Sequence, residues 1–169
     1  MGDELYGSHK EACEWSFKKL RDMGITNILG IEFGSGYYST QMFHDNCPTL
    51  LTIETELDWM NKFVHLESPT HRFLHITRDS WVETLSTMDL TCDVALVDSF
   101  DGPSRSVVME HIRDCCKLVV VHDQENVFRN PGACYQGQIE AVRSFEYCRQ
   151  FPFGSIVTAV LSNSINVEE

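Results

Sequence analysis

The sequence predicts an α/β fold in three layers, built on a mainly parallel sheet and finished by an antiparallel C-terminal hairpin strand. Three observations predict it. Short apolar runs alternate with segments of helical periodicity along the chain, the pattern of βαβ units. Four of these runs end at or near an acid, namely Glu32, Glu54, Asp98 and Asp123, and open parallel sheets bind ligands beyond the carboxyl ends of their strands. The last two apolar runs are separated by Pro152-Phe153-Gly154, a spacing suited to a hairpin.

The elements follow in order. Ser8 to Met23 reads as an amphipathic helix with Ala12, Trp15, Phe17, Leu20 and Met23 on its apolar side. Ser8 followed by Glu11 matches a capping box, and Gly24 is a stop. Ile28 to Ile31 with Phe33 forms the first strand, and a helix from Ser39 ends before Pro48. Thr49 to Ile53 is the second strand, Asp58 to Leu66 a helix, and His71 to Ile76 the third strand. A short helix starts at Arg78-Asp79-Ser80-Trp81. Cys92 to Asp98 is the clearest strand, and Pro103 fits the first position of the next helix, whose face carries Val107, Val108, His111 and Ile112. Lys117 to Val121 is the fifth strand, a loop runs from Gln124 to Tyr135, and a helix spans Gln136 to Phe145. Strands near Tyr147 to Phe151 and Ser155 to Leu161 close the sheet.

Composition bounds the function. With 169 residues, 43% of them hydrophobic, the chain suits one domain over residues 1–169, with an N-terminal helix near 8–23 and a core near 27–162. No apolar run approaches the roughly 20 residues of a membrane span. Met1-Gly2-Asp3-Glu4 lacks the basic-then-apolar pattern of a secretory signal. The seven cysteines are odd in number and form no Cys-x-x-Cys pair, so reduced thiols in a cytoplasmic compartment are expected. A formal charge of −12 disfavours nucleic acid as a partner and favours a small or cationic ligand.

The stretch Glu32-Phe33-Gly34-Ser35-Gly36-Tyr37-Tyr38-Ser39-Thr40 is the candidate ligand cradle. Its glycines let a ligand approach backbone, and the following helix start offers unpaired N–H groups. A dinucleotide fingerprint needs a third glycine where Ser39 stands, and a diphosphate would meet Glu32. A Walker loop is excluded because no Gly-Lys-Ser/Thr is present. An adenosine with a cationic tail fits better. Glu54 is placed to accept from ribose hydroxyls, a charge-assisted bond of about 1.5–3 kcal/mol. Asp79 suits an adenine amino group, with Ser80 supplying an N–H and Trp81 an apolar wall. These features describe S-adenosylmethionine.

Glu32-Phe33-Gly34-Ser35-Gly36, Ile53-Glu54, Arg78-Asp79-Ser80 and Val97-Asp98 resemble the successive motifs of class I S-adenosylmethionine-dependent methyltransferases, over about Asn27 to Ser162. The resemblance implies a Rossmann-like three-layer αβα sandwich. It implies that Glu32, Gly34, Ser35 and Gly36 hold the methionine side, Glu54 the ribose, and Asp79, Ser80 and Trp81 the adenine side, with Tyr37, Ser39 and Thr40 nearby. Asp98, His122 and Asp123 then become the catalytic candidates. One version resembles catechol-type O-methyltransferases, with Asp98 and Asp123 holding Mg2+; the sequence His-Asp-Gln departs from that pattern's Asp-Asn. The other uses His122 as general base.

The acceptor is expected to be a small molecule or macromolecule methylated on oxygen or nitrogen. The chain has little beyond its core to form an acceptor pocket, leaving the loop with Phe128 and Tyr135 and the segment Ser99 to Arg105. A large acceptor, a second copy in a homodimer, or a non-catalytic adenosyl-ligand-binding protein each accounts for that. Structural readings stand beside these: a tight turn at Gly34 and Gly36, helix-start acids at Glu54 and Glu56, and a cap at Asp98 or Asp101.

Overall fold

Seven strands form one sheet in the order β3-β2-β1-β4-β5-β7-β6 in a computed structural model that describes residues 8–133 and 135–168. The strands are β1 (Leu29–Phe33), β2 (Thr49–Glu54), β3 (His71–His75), β4 (Cys92–Val97), β5 (Cys116–Val121), β6 (Tyr147–Phe153) and β7 (Ile156–Ser162). The first five run parallel, and β7 lies antiparallel to both β5 and β6. The chain reverses its winding between β1 and β4, which opens a crevice at their carboxyl ends.

Side-chain alternation on the strands sets the layers. Ile31, Phe33, Ala95, Val97, Val119 and Val121 face α4 (Trp81–Ser86), α5 (Gly102–Ile112) and α7 (Gln136–Arg143). Val94, Leu96, Leu118 and Val120 face α1 (Lys10–Asp22) and α2 (Ser39–Asn46). Apart from Asp93, which bonds Leu29 N–H and Lys117, both faces of β4 are therefore apolar, and all six of its residues are buried. The fold expected from the sequence, with its parallel sheet, three layers and antiparallel C-terminal pair, is the fold observed. No helix among the described residues is long and apolar enough to cross a membrane.

Three elements differ from expectation. The helix expected over 58–66 is only α3 (Leu57–Met60), followed by a 3-10 turn at Val64–Leu66. No residue of α3 is buried, so these four residues have no apolar anchor of their own, and Asn61 favours a turn before the buried Phe63. The loop from Gln124 contains α6 (Glu125–Arg129) and a 3-10 turn at Pro131–Ala133. Ser8 does not cap α1: the N-cap is His9, without a side-chain bond. The Ser8 hydroxyl lies 2.6 Å from His122 Nε2 instead. The hairpin closes on Gly154, at φ +59°, with Phe153 paired to Ile156.

Candidate functional site

The loops after β1 and β4 touch at Gly34. Its φ is +93°, and a Cβ there would stand 2.3 Å from the Asp98 carbonyl oxygen. Asp98 N–H donates to Phe33 O and Gly34 N–H to Ile53 O, each at 2.8 Å, so three strand ends are tied at one point. Glycine is required here both by the dihedral and by the approach. At Gly36 the N–H donates to Thr40 Oγ1.

Glu32 lies beneath the cradle. It is fully buried and accepts from Thr40 Oγ1 at 3.1 Å and Thr52 Oγ1 at 2.9 Å. Burial pushes its carboxyl up to about 8, against the hydrogen bonds from Ser39, Thr52 and Thr40, which lower it. Glu32 thus holds the start of α2, and its raised pKa favours the neutral form, which weakens the repulsion of a phosphate expected from the sequence. The departure from a dinucleotide loop rests on Ser39, which is buried under the turn.

Glu54 is 6% exposed. Its Oε2 accepts from Ser35 N–H and Ser35 Oγ–H, both at 2.8 Å, and its Oε1 from the N–H of Thr55 and Glu56 at 2.7 and 3.0 Å. The carboxylate therefore fastens the turn after β1 to the turn after β2, with a hydroxyl already seated on it. Trp59, not anticipated from sequence as part of the cradle, donates Nε1–H to Ser35 O at 2.6 Å. Tyr37 and Phe63 meet Trp59 edge-on, and Lys62 Nζ lies 3.5 Å from the Trp59 ring centroid.

After β3, Asp79 is exposed, and Ser80 bonds back to Thr77. Trp81 turns inward rather than towards the cradle, 2% exposed and edge-on to Phe33 and Phe100. Together with Phe100 and Arg78 it lines a hollow of about 170 Å³.

The third group converges beyond β4 and β5. His122 Nδ1 lies 3.1 Å from Asp98 Oδ1 and 3.4 Å from Asp123 Oδ1. Arg105 on α5 places Nη2 3.1 Å from Asp98 Oδ1 and 3.2 Å from Asp123 Oδ2, so one guanidinium bridges the two carboxylates. Burial works to lower the His122 pKa, but the Asp98 bond and the charges of Asp98 and Asp123 outweigh it and raise the group. Burial likewise acts to raise Asp98, and His122 and Arg105 overcome it, leaving Asp98 below the usual carboxylate range. Asp123 holds a left-handed backbone, φ +55°, that non-glycine residues seldom adopt. Gln124 Nε2–H donates to His122 O, and Gln138 Nε2–H donates to Gln124 Oε1, fixing this corner from α7.

No family model matches the sequence, and no curated protein is similar to it. Solved structures are similar. WbdD, described as a bifunctional kinase-methyltransferase, superposes with TM-score 0.66 at 14% identity over 90% of this chain; the chain spans 39% of that protein. The N-methyltransferase NodS from Bradyrhizobium japonicum WM9, in complex with S-adenosyl-L-homocysteine, gives TM-score 0.60 at 10% identity, with 96% of this chain and 89% of NodS covered. The magnesium protoporphyrin IX methyltransferase ChlM from Synechocystis PCC 6803, with bound S-adenosylmethionine, gives 0.54 at 11% identity, with 94% and 82% covered. The chain has the class I methyltransferase fold.

The outward side of the Asp98 group, at Arg105 and Asp123, is concave. A cavity of about 480 Å³ opens there, lined by Arg105, Asp123, Glu125, Tyr135 and Gln138 among others. Glu125 Oε2 is buried without a hydrogen-bond partner. Of the acceptor-wall segments anticipated from sequence, Tyr135 and Arg105 reach this cavity, whereas Phe128 packs against the core. Gln138 and His9 were missed, and Arg105 and Glu125 were anticipated only as parts of the wall segments, without the ion pairing of the one or the buried oxygen of the other. Only Arg105 carried a local signal, standing two residues after a helix-starting proline and opposite two strand-end acids.

Proposed function

We propose that the chain is an S-adenosylmethionine-dependent methyltransferase that modifies an oxygen or nitrogen of a polar acceptor. The observation that carries this reading is the meeting of the Gly34 cradle, the Glu54 carboxylate and the Asp98–His122–Asp123 group around one crevice on this fold. The donor residues fit the cofactor: Glu54 already bonds a hydroxyl, that of Ser35, in the way it would bond a ribose. When bound, S-adenosylmethionine supplies a methyl group activated by a sulfonium.

The chain's own residues divide the remaining work. The turn at Gly34, Ser35 and Gly36 lets the ligand lie against backbone, and Glu32 keeps that turn in register from below. Glu54 takes the ribose, displacing Ser35, while Asp79 and Ser80 border the adenine side, with Trp81 packed behind them. His122 is held at both ring nitrogens, by Ser8 and by Asp98, which suits it to positioning more than to proton abstraction. Asp123 faces the cavity and is the group that receives an acceptor proton, and Asp98 orients His122 beside it. Glu125 and Asp123 make the cavity acidic, favouring an acceptor with an amine or hydroxyl. The residues do not fit a magnesium ion between Asp98 and Asp123, because the Arg105 guanidinium already joins them, and no step is routed through one.

A second reading, binding without transfer, is favoured by that same ion pairing of Asp98 and Asp123. Calorimetric titration with S-adenosylhomocysteine, NAD and ATP in parallel tests both, with heat expected only for the first. Absence of S-adenosylhomocysteine binding sinks both readings; binding without methyl transfer to any amine or hydroxyl acceptor leaves the second. Glu54→Ala should weaken S-adenosylhomocysteine by about tenfold to a hundredfold, the equivalent of 1.5–3 kcal/mol. Ser35→Ala, which removes the competing hydroxyl, should not weaken it. Equal losses in the two variants would reduce Glu54 to a fastener of the turn.

A further inference from the structure

One buried group takes no part in the methyl transfer proposed above. His9, at the start of α1, is 4% exposed, and neither ring nitrogen has a hydrogen-bond partner. Burying an imidazole without satisfying either nitrogen costs free energy, and burial, together with the charge of His122, pushes its pKa down to about 4. The ring stands edge-on to His122 with centroids 5.1 Å apart. Ligand atoms of His9, Asp98 and His122 all lie within 4.8 Å of one another.

We propose that His9, Asp98 and His122 form a binding site for a divalent first-row transition-metal ion such as Zn2+ or Fe2+. Two imidazoles and one carboxylate are a donor set that such ions prefer, whereas Mg2+ prefers oxygen ligands. Three protein ligands leave a position open, as catalytic sites do. The orientation of His122 also fits. Ser8 Oγ at 2.6 Å takes Nε2, so with Nε2 protonated and donating to Ser8, the Nδ1 lone pair faces Asp98, 3.1 Å from Oδ1, and an ion between the two groups would replace that contact. A ligating histidine is usually held through its other nitrogen in this way. Among the described residues Arg105 is the arginine in contact with Asp98, at Oδ1, and Asp123 shares its charge. Asp98 Oδ2 remains for the ion.

The site differs from one between Asp98 and Asp123. It draws a ligand from α1, so the N-terminal helix completes it, and it explains why Ser8 leaves its capping position. Its role, holding an acceptor oxygen or nitrogen at the open position beside the cavity, rests on the methyltransferase reading; the existence of the site does not.

The test is a titration of the metal-free full chain with Co2+, followed by visible d–d absorption, with S-adenosylhomocysteine calorimetry on the same preparations. One equivalent of Co2+ should bind, displaced by Zn2+ and not by excess Mg2+. His9→Ala and Asp98→Asn should abolish the signal, and Ser8→Ala should weaken binding about tenfold to a hundredfold. His44→Ala should leave it intact, since His44 and His71 form a separate pair with Nδ1 atoms 2.9 Å apart. Near-UV circular dichroism confirms that each variant is folded, and Asp98→Asn keeps the test decisive if His9→Ala is not. Failure of the native chain to bind Co2+, binding unaffected by both His9→Ala and Asp98→Asn, or loss in His44→Ala alone would overturn the site. S-adenosylhomocysteine binding without Co2+ binding overturns this site and leaves the methyltransferase reading standing; the reverse result does the opposite.

Discussion

Glu32 shows how a motif residue can serve the site from beneath it. Hydroxyls from α2 and β2 meet it, the Cys13 and Cys47 thiols lie nearby and are themselves pushed up by burial, and Asp98 adds a negative field. Ionisation therefore works against the fold. The folded pKa, about 8, exceeds the ordinary carboxyl value of 4.5, so the native state binds this proton more tightly than the unfolded state. Its stabilisation is complete below pH 4.5 and is lost as pH rises through about 8. Glu32→Gln keeps the shape and removes the titration. Urea unfolding of the two proteins at pH 5 and pH 9 should show the variant gaining on the wild type by on the order of 4 kcal/mol across that range. Parallel pH profiles would mean that Glu32 ionises freely in the folded chain.

The elements differ in how plainly they could be read, and α5 was among the plainest. Asp101 caps it: Ser104 N–H donates to Asp101 Oδ1 at 2.8 Å, and the reciprocal bond from Asp101 N–H reaches Ser104 Oγ at 3.3 Å. Asp101→Ala should cost about 1 kcal/mol in chemical denaturation, with most of it recovered by Asp101→Asn; a neutral Ala variant would show the cap to be redundant. Local chemistry of this kind, with Pro103, the strand-end acids and the nearly continuous apolar run of β4, made the sheet and its crevice legible. What could not be read depends on distant partners. Ser8 with Glu11 had the form of a cap, yet its hydroxyl goes to a residue 114 positions away. The five-residue α6 buries only Val127, and bonds from Gln124 and Gln138 frame its start, none of which leaves a periodicity. Trp81 followed the third-strand motif as expected, but packing against Phe33 and Phe100 drew it into the core. His9 carried no spacing signal because its neighbours Asp98 and His122 come from strands far along the chain.

For the whole molecule the deciding quantity is charge. Twenty-five acids face thirteen Lys and Arg residues, a net −12, and such an excess destabilises the compact state by self-repulsion. Opposing it are local ion pairs, of which Lys10–Glu14, Lys18–Asp22, Arg78–Glu56 and Arg113–Asp114 are largely exposed and each contribute little. The Arg105 bridge is different, since its guanidinium is 12% exposed and is screened far less. Raising NaCl from ~0.01 to ~0.15 M shortens the screening length from about 30 to 8 Å. That quenches the long-range repulsion while the short contacts and the Arg105 bridge largely persist. The melting temperature should therefore rise with salt, by about 2–4 °C for each kcal/mol of relieved repulsion in a chain of this size. A fall would mean that surface ion pairs outweigh the repulsion. On the methyltransferase reading proposed above, the same field would steer a cationic acceptor towards the cavity of Asp123 and Glu125, so salt that steadies the fold should also slow capture of such an acceptor.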